Sequence, residues 1–371
     1  MKKAIVSVIN DLVTDQRVDR TCSALVKLGF EVLLVGRKKK NSLELPERKY
    51  RMHRFHMIFE KGPLFYAFYN LRLFFLLLFK KSDLLFANDL DTLLPNYLVS
   101  RIKKVPLIYD SHEYFTEVPE LIGRPFVQNT WKRIERFIFP KLKEIITVNE
   151  SIADLYEKQY QKKLTVVRNI SSRVILDSVK TRSELGLPAN KHIIILQGAG
   201  INIDRGSEEA LAAMEYVDNA ILLIVGDGDV IPILKEKAQE ARYKDKVMFI
   251  PKQPFAQLFQ YTVNADLGLT LDKDSNINYR FSLPNKIFDY IHAGIPVLAS
   301  PLTEVKKIID EYGIGCTTES HDPHHIAEKM QFMLTDINSR EMWKKNLTLA
   351  SEKLNWQNEE LILLKLLKPY A

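Results

Sequence analysis

Cysteine is almost missing from this chain: Cys22 and Cys316 are the two present among 371 residues. They stand in different halves of the sequence, which excludes a disulfide framework and fits a reducing compartment. Glycine is thin where a dinucleotide fold would need it. The turn after the first apolar run reads NDLVTDQRVDR, with no glycine at all. The G-x-G-x-x-G that brings backbone against a pyrophosphate is therefore lacking, which argues against a nicotinamide or flavin enzyme. No Gly- or Ser-rich linker and no short-period repeat interrupts the chain. No zinc knuckle and no aromatic-interleaved RNA-binding motif occurs, so no nucleic-acid partner is expected. The opening MKKAIVSVIN mimics a signal peptide, but Ala4–Ile9 is too short for its apolar core and no small-residue cleavage site follows. A first buried parallel strand is the better reading.

Long hydrophobic runs are lacking too, with one exception. Leu64–Phe79 is apolar or aromatic throughout apart from Asn70 and Arg72. That is short for a membrane span and carries a charge near its middle. It reads as a buried core helix, the preferred alternative, or as an interfacial helix flanked by basic residues. Charge is uneven. Residues 1–170 carry 30 Lys and Arg against 19 Asp and Glu, while the rest of the chain is net acidic within an overall charge of +7. A basic N-terminal half suggests a polyanionic partner or an anionic membrane surface, against the simpler alternative of scattered solvated lysines.

What is present is a double α/β series. In the first half, apolar β-rich runs at Lys3–Ile9, Glu31–Val35, Tyr50–Ile58, Asp83–Asn88, Pro106–Tyr109, Glu144–Val148 and Leu164–Val167 alternate with helical spacing such as Arg17–Leu28. In the second, strands at His192–Leu196, Ala220–Val225, Lys246–Ile250, Ala265–Leu269, Pro296–Ala299 and Gly313–Thr317 alternate with helices. The predicted domains are 1–172 and 173–352, with a terminal helix in 353–371 packing back on the first. Each reads as a Rossmann-like doubly wound sheet. Asp89, Asp110, His112 and Glu113 fall at carboxyl ends of strands, where ligands bind in open α/β sheets. Asp15 faces the same end or caps a helix. His112 is a base, a hydrogen-bonding group for a sugar, or a satisfied loop residue.

The most informative stretch is Ser282–Pro301, SLPNKIFDYIHAGIPVLASP. Ser282 is the expected N-cap, Pro284 suits a first turn, and Gly294 ends the helix before a buried strand. Free N–H groups at such a helix start suit a diphosphate, and Asp289, about 7 Å further along, suits a ribose hydroxyl pair. Upstream, QGAGINIDRG places Gly198, Gly200 and Arg205 after a strand, and VGDGD places Gly226 after the next. Arg205 can grip a phosphate through two nitrogens.

The order of these motifs, with PKQPF and NADLGL between them and DQRVDRTCSALVKLGFEVLLVGR earlier, resembles the retaining glycosyltransferases of family 4, group 1. The resemblance covers nearly the whole chain. It implies a GT-B fold, two Rossmann-like domains facing across a cleft. It implies transfer of a sugar from a nucleoside-diphosphate sugar, UDP or GDP as carrier, to a glycan or lipid-linked acceptor in surface polysaccharide assembly. It implies no cofactor and no metal. Asp289 takes the place of the ribose-binding carboxylate. Arg205 and Lys286 lie on the diphosphate, with Gly200, Gly226, Ser282, Leu283 and Asn285 around the donor. Gln253 brackets the base, and His112 contacts the transferred sugar. Asp15, Asp89, Asp110 and Glu113 lie on the acceptor side. A cytoplasmic chain is expected, peripheral at the inner membrane face if the basic half binds lipid.

The chain departs from the family at two points. The first of the usual two carboxylates, eight residues before Asp289, is Phe281, with Asp272 or Asp274 as nearby substitutes. No Lys follows Arg205 at the usual spacing, and Lys286 is the compensating cation. The Asp89-Leu90-Asp91 spacing resembles a metal motif but lies in the wrong half. Two alternatives remain: a nucleotide-sugar epimerase or hydrolase, and a degenerate nucleotide-sugar-binding partner without turnover.

Overall fold

The computed structural model describes residues 1–13, 15–174 and 176–371. The chain divides into two units, residues 1–169 with 358–371, and residues 170–357.

In the first unit the strands are β1 (Lys3–Ser7), β2 (Glu31–Lys38), β3 (Arg51–His56), β4 (Leu84–Asn88), β5 (Leu107–Ser111), β6 (Glu144–Thr147) and β7 (Thr165–Val166). They form one parallel sheet in the order β3-β2-β1-β4-β5-β6-β7. The order reverses between β1 and β4, whose register sets Val6 beside Phe86. All five residues of β4 are buried, as expected of a central parallel strand covered on both faces. The helices are α1 (Gln16–Lys27), α2 (Gly62–Phe79), α3 (Leu90–Lys103), α4 (Pro125–Ile138) and α5 (Glu150–Tyr160).

In the second unit the strands are β8 (His192–Gly198), β9 (Ala220–Gly226), β10 (Val247–Ile250), β11 (Leu267–Thr270), β12 (Val297–Ala299) and β13 (Gly315–Thr317). Their order is β10-β9-β8-β11-β12-β13, again parallel. The helices are α6 (Ser207–Ala213), α7 (Ile231–Lys237), α8 (Phe255–Val263), α9 (Ile277–Arg280), α10 (Lys286–Ala293), α11 (Thr303–Tyr312), α12 (Pro323–Thr335) and α13 (Ile337–Lys353). Ile193–Leu196, Leu222–Ile224, Phe288 and Tyr290 belong to the central core of this unit. A last helix, α14, spans Trp356–Leu367, and from Asn358 onward it belongs to the first unit.

Two expectations change. The helix that carries Asp289 starts at Lys286, not near Ser282, and its N-cap is Asn285. The Ser282 hydroxyl donates instead to the Tyr279 carbonyl at 2.8 Å, closing the preceding turn of α9. Leu283 precedes a proline, which keeps it out of helical conformation. Second, α2 is not a helix buried all round. Phe65, Tyr69, Leu73 and Leu77 form its buried stripe, while Leu64, Leu71, Phe75 and Phe79 are exposed.

Candidate active site

In the second unit, the ends of β8, β9 and β11 and the start of α10 converge on charged groups. Close backbone approach is built in at Gly226, where φ is +144° and a Cβ would lie 1.8 Å from the Gly198 carbonyl oxygen. Only glycine fits there. Gly200 is exposed beside it, and Ile201 N–H reaches the Asp227 carbonyl at 2.9 Å. Gly206 is equally constrained, with φ +73° and a Cβ position 2.1 Å from the Leu271 carbonyl oxygen. That contact brings the loop carrying Arg205 against the loop after β11.

There Asp272 waits, fully buried. Arg205 Nη1 donates to its Oδ1 at 2.7 Å, Thr270 Oγ1 donates to Oδ2 at 3.0 Å, and Lys286 Nζ stands 3.4 Å from Oδ2. Burial would raise the Asp272 pKa, but Lys286 and Arg205 outweigh it and hold the carboxyl below its usual range. The Arg205 guanidinium also lies over the Tyr279 ring, 4.2 Å from its centre. Two cations thus share one buried anion, leaving a net positive charge beside the positive end of the α10 dipole.

One turn along the same face of α10 is Asp289, buried at 7 % exposure. Ser171 Oγ donates to its Oδ1 at 2.9 Å and Gln197 Nε2 to its Oδ2 at 3.0 Å. Gln197 is itself fixed by the Thr262 hydroxyl at 2.8 Å. These two bonds fix the direction of the carboxylate. Of the other expected donor residues, Asn285 is exposed, Leu283 is half-buried against the core, and Gln253 follows β10 with its amide on the Pro251 carbonyl. Phe281 ends α9. Asp274 is on the surface with Arg280 at 3.0 Å, while Asp272 serves as the counterion of Arg205 and Lys286.

In the first unit a second cluster sits at the carboxyl ends of β4 and β5. Arg17 grips Asp110 through two bonds, Nε to Oδ2 at 3.0 Å and Nη2 to Oδ1 at 2.6 Å, and donates to the Val167 carbonyl at 2.8 Å. Asp89 has φ 58°, a conformation unfavourable for any residue but glycine. It is held there by its N–H on the Asp110 carbonyl at 2.9 Å and by the His112 N–H on its Oδ1 at 2.9 Å. His112 Nδ1 lies 3.2 Å from Asp89 Oδ2, and Nε2 lies 3.2 Å from Asn88 Oδ1 and 3.4 Å from Asp110 Oδ2. Burial alone would lower the His112 pKa, but Asp89 and Asp110 push it up to about 9. The ring is an imidazolium at neutral pH, with both N–H groups engaged. Burial would raise Asp110, yet Arg17 and His112 hold it well below the usual carboxylate range.

Asp15 is the N-cap of α1, accepting from the Val18 N–H at 3.1 Å. Glu113 is half-buried and its carbonyl accepts from Ser111 at 2.8 Å. Asp91 is buried in the first turn of α3, pushed up by burial and by Asp89. Among the described residues no three His, Cys, Asp or Glu side chains are grouped as metal ligands. Sequence reasoning missed Arg17 as the partner of Asp110, and Ser171, Gln197 and Thr262 behind Asp289. Asp272 was visible as a residue just past a strand end, but its two cations come from elsewhere.

Two family models together match most of the chain. The one described as Glycosyltransferase Family 4 matches residues 15–170, and the one described as Glycosyl transferases group 1 matches residues 179–349. The chain belongs to the group 1 glycosyltransferases of family 4. No curated protein sequence matches this glycosyltransferase. Its fold is that of several solved structures. Sucrose-phosphate synthase from Thermosynechococcus elongatus is 17% identical with a TM-score of 0.78, over 100% of this chain and 98% of that one. HepE from Anabaena, solved with UDP and glucose, is 14% identical with a TM-score of 0.76, over 100% of both chains. WaaG, a glycosyltransferase involved in lipopolysaccharide biosynthesis, is 16% identical with a TM-score of 0.71, over 97% of this chain and 99% of that one.

Proposed function

We propose that this glycosyltransferase moves a hexosyl group from a nucleoside-diphosphate sugar to a glycan or lipid-linked acceptor in surface polysaccharide assembly. Transfer proceeds with retention and without a metal ion. The observation that carries the reading is the pairing of Arg205 and Lys286 on Asp272 at the start of α10, with Asp289 one turn along. A departing diphosphate gains negative charge, and two cations with a helix N-terminus stabilise that charge without a bound metal. Asp289 accepts from the ribose hydroxyls. UDP is the favoured carrier because HepE, of the same fold, was solved with UDP-glucose. Gly200, Gly226, Gln253, Ser282, Leu283 and Asn285 line the donor side, and Asp15, Asp89, Asp110 and Glu113 the acceptor side.

His112 acts as a cationic hydrogen-bonding group. With both ring nitrogens already bonded to oxygens, it is not the acceptor of the nucleophile's proton. A lipid-linked acceptor would bring the enzyme to the cytoplasmic membrane face as a peripheral protein, in keeping with the basic N-terminal half.

The test is the configuration of the product. The enzyme is incubated with a UDP-sugar and a lipid-linked or oligosaccharide acceptor, with and without EDTA, and the new anomeric proton is read by NMR. Retained configuration at an unchanged rate in EDTA is expected. Inversion, or loss of transfer in EDTA, contradicts the proposal.

A further inference from the structure

Helix α2 is the one helix among the described residues long and apolar enough to cross a membrane. It does not stand free to do so. Its stripe Phe65, Tyr69, Leu73 and Leu77 packs on Ile5, Val35 and Leu85 of the sheet. The Tyr69 hydroxyl donates to the Val8 carbonyl at 2.7 Å, and Asn70 donates to the Asp91 carbonyl at 2.9 Å. Such a helix is tied along one side to its own unit.

Its other side is as apolar as the first. Leu64, Leu71, Phe75 and Phe79 recur at helical spacing and all are exposed, Phe79 at 80 %. At about 1.5 Å per residue they run some 22 Å along the surface. The Phe75 and Phe79 rings stack with centres 6.2 Å apart. A helix apolar on both sides is over-hydrophobic for a surface element whose outer face meets only water.

The apolar face continues onto α3 and α4. Lys103 at the end of α3 donates to the Leu77 carbonyl at the end of α2, at 2.7 Å. Tyr66 of α2 packs edge-on against Trp131 of α4, and Tyr97 of α3 against Phe137 of α4. Ile102 on α3 and Phe126 and Phe137 on α4 are exposed. The outward-facing charge on these three helices has one sign. Their cations are Arg72, Arg101, Lys103, Lys132, Arg133 and Arg136, and Lys80, Lys81 and Lys104 follow directly. Their two carboxylates, Asp91 and Glu135, are both buried. No helix-borne carboxylate faces outward.

We infer that the α2–α3–α4 face docks on an anionic lipid bilayer, with the Leu64–Phe79 stripe entering the headgroup boundary and the surrounding Lys and Arg on lipid phosphates. Lys132 is paired with Glu117 at 2.6 Å, and the exposed apolar rings with the remaining cations match that surface in both chemistry and charge. The inference deepens the lipid-linked acceptor reading and rests on it. The docking site lies wholly within the first unit, whereas the proposed donor groups lie in the second.

The experiment is co-sedimentation of the full chain with vesicles of phosphatidylcholine alone and of phosphatidylcholine mixed with phosphatidylglycerol, at low and high salt. Wild type is expected in the pellet only with the mixed vesicles, and less so at high salt. Phe75→Glu with Phe79→Glu removes the apolar contact, and Lys80→Glu with Lys81→Glu reverses the charge. Each pair is expected to weaken binding about tenfold or more. All four positions are exposed, so circular dichroism and melting should match wild type. Wild type left in the supernatant with mixed vesicles overturns the inference, as does variant binding equal to wild type. Concentration-dependent self-association abolished by Phe75→Glu with Phe79→Glu would assign the face to a second copy and overturn it as well. UDP binding is measured on the same variants. Its loss in wild type would sink the donor reading while leaving vesicle binding to decide the docking face.

Discussion

Arg205 and Lys286 are held on opposite oxygens of one buried carboxylate, Asp272, at 2.7 and 3.4 Å. They come from the loop after β8 and the first turn of α10, and Asp272 is what brings them to one point. Asp272→Asn keeps the shape and removes the charge. Breaking a buried pair costs about 3–5 kcal/mol, and because Arg205 is part-exposed the expected loss here is about 1–3 kcal/mol. Urea unfolding followed by circular dichroism measures it. An unchanged midpoint would mean that Asp272 does not organise the two cations.

Arg205→Ala and Lys286→Ala each remove one charged donor from the proposed diphosphate position. Each should weaken UDP binding about 10–100-fold, the worth of one charge-assisted hydrogen bond. Fluorescence competition against a labelled nucleotide reads the ratio. Equal affinity in both variants would place the diphosphate elsewhere.

His112 sets a pH window. Its folded pKa of about 9 stands above the ordinary value of 6.5. The stabilisation is therefore complete below about pH 6.5 and is lost as pH rises through 9, with an upper bound of about 3 kcal/mol. The imidazole carbon protons should titrate near pH 9 by NMR in wild type and at clearly lower pH in Asp89→Asn. A wild-type midpoint near 6.5 would remove the imidazolium from the site.

Glu135 gives a second window on the acid side. It is fully buried, its Oε1 accepts from the Tyr160 hydroxyl at 2.6 Å, and burial pushes its pKa up to about 7. An acid raised on folding costs stability once it must ionise, so this contribution worsens as pH rises from about 4.5 to 7. Glu135→Gln should gain up to about 3 kcal/mol at pH 8 and little at pH 4.5. A variant less stable than wild type at pH 8 would show that the charged form is the better partner of Tyr160.

Much of the architecture was legible because both sheets are parallel and covered. Ile193–Leu196 and Ala220–Val225 are buried on both faces and read as continuous apolar runs with turns at each end. Gly294, with φ 71°, ends α10 where the sequence put the helix stop. The start of α10 was misread because Ser282 is a good N-cap by type, yet its hydroxyl found the Tyr279 carbonyl. The site's partners were harder. Arg205 and Asp272 are 67 residues apart, Arg17 and Asp110 are 93 apart, and Ser171 and Asp289 are 118 apart. Strand order and register set such meetings, and no local pattern carries them. The outward stripe of α2 was obscured for a different reason: an all-apolar helix shows no preferred face until the sheet selects one.

Isothermal titration of the purified protein with UDP, GDP, ADP and TDP, without and with EDTA, tests the central claim most directly. The account predicts binding of one of these, UDP first, unaffected by EDTA and lost or much weakened in Asp289→Ala. Absence of binding by all four, or binding that needs a divalent cation and ignores Asp289→Ala, would contradict it.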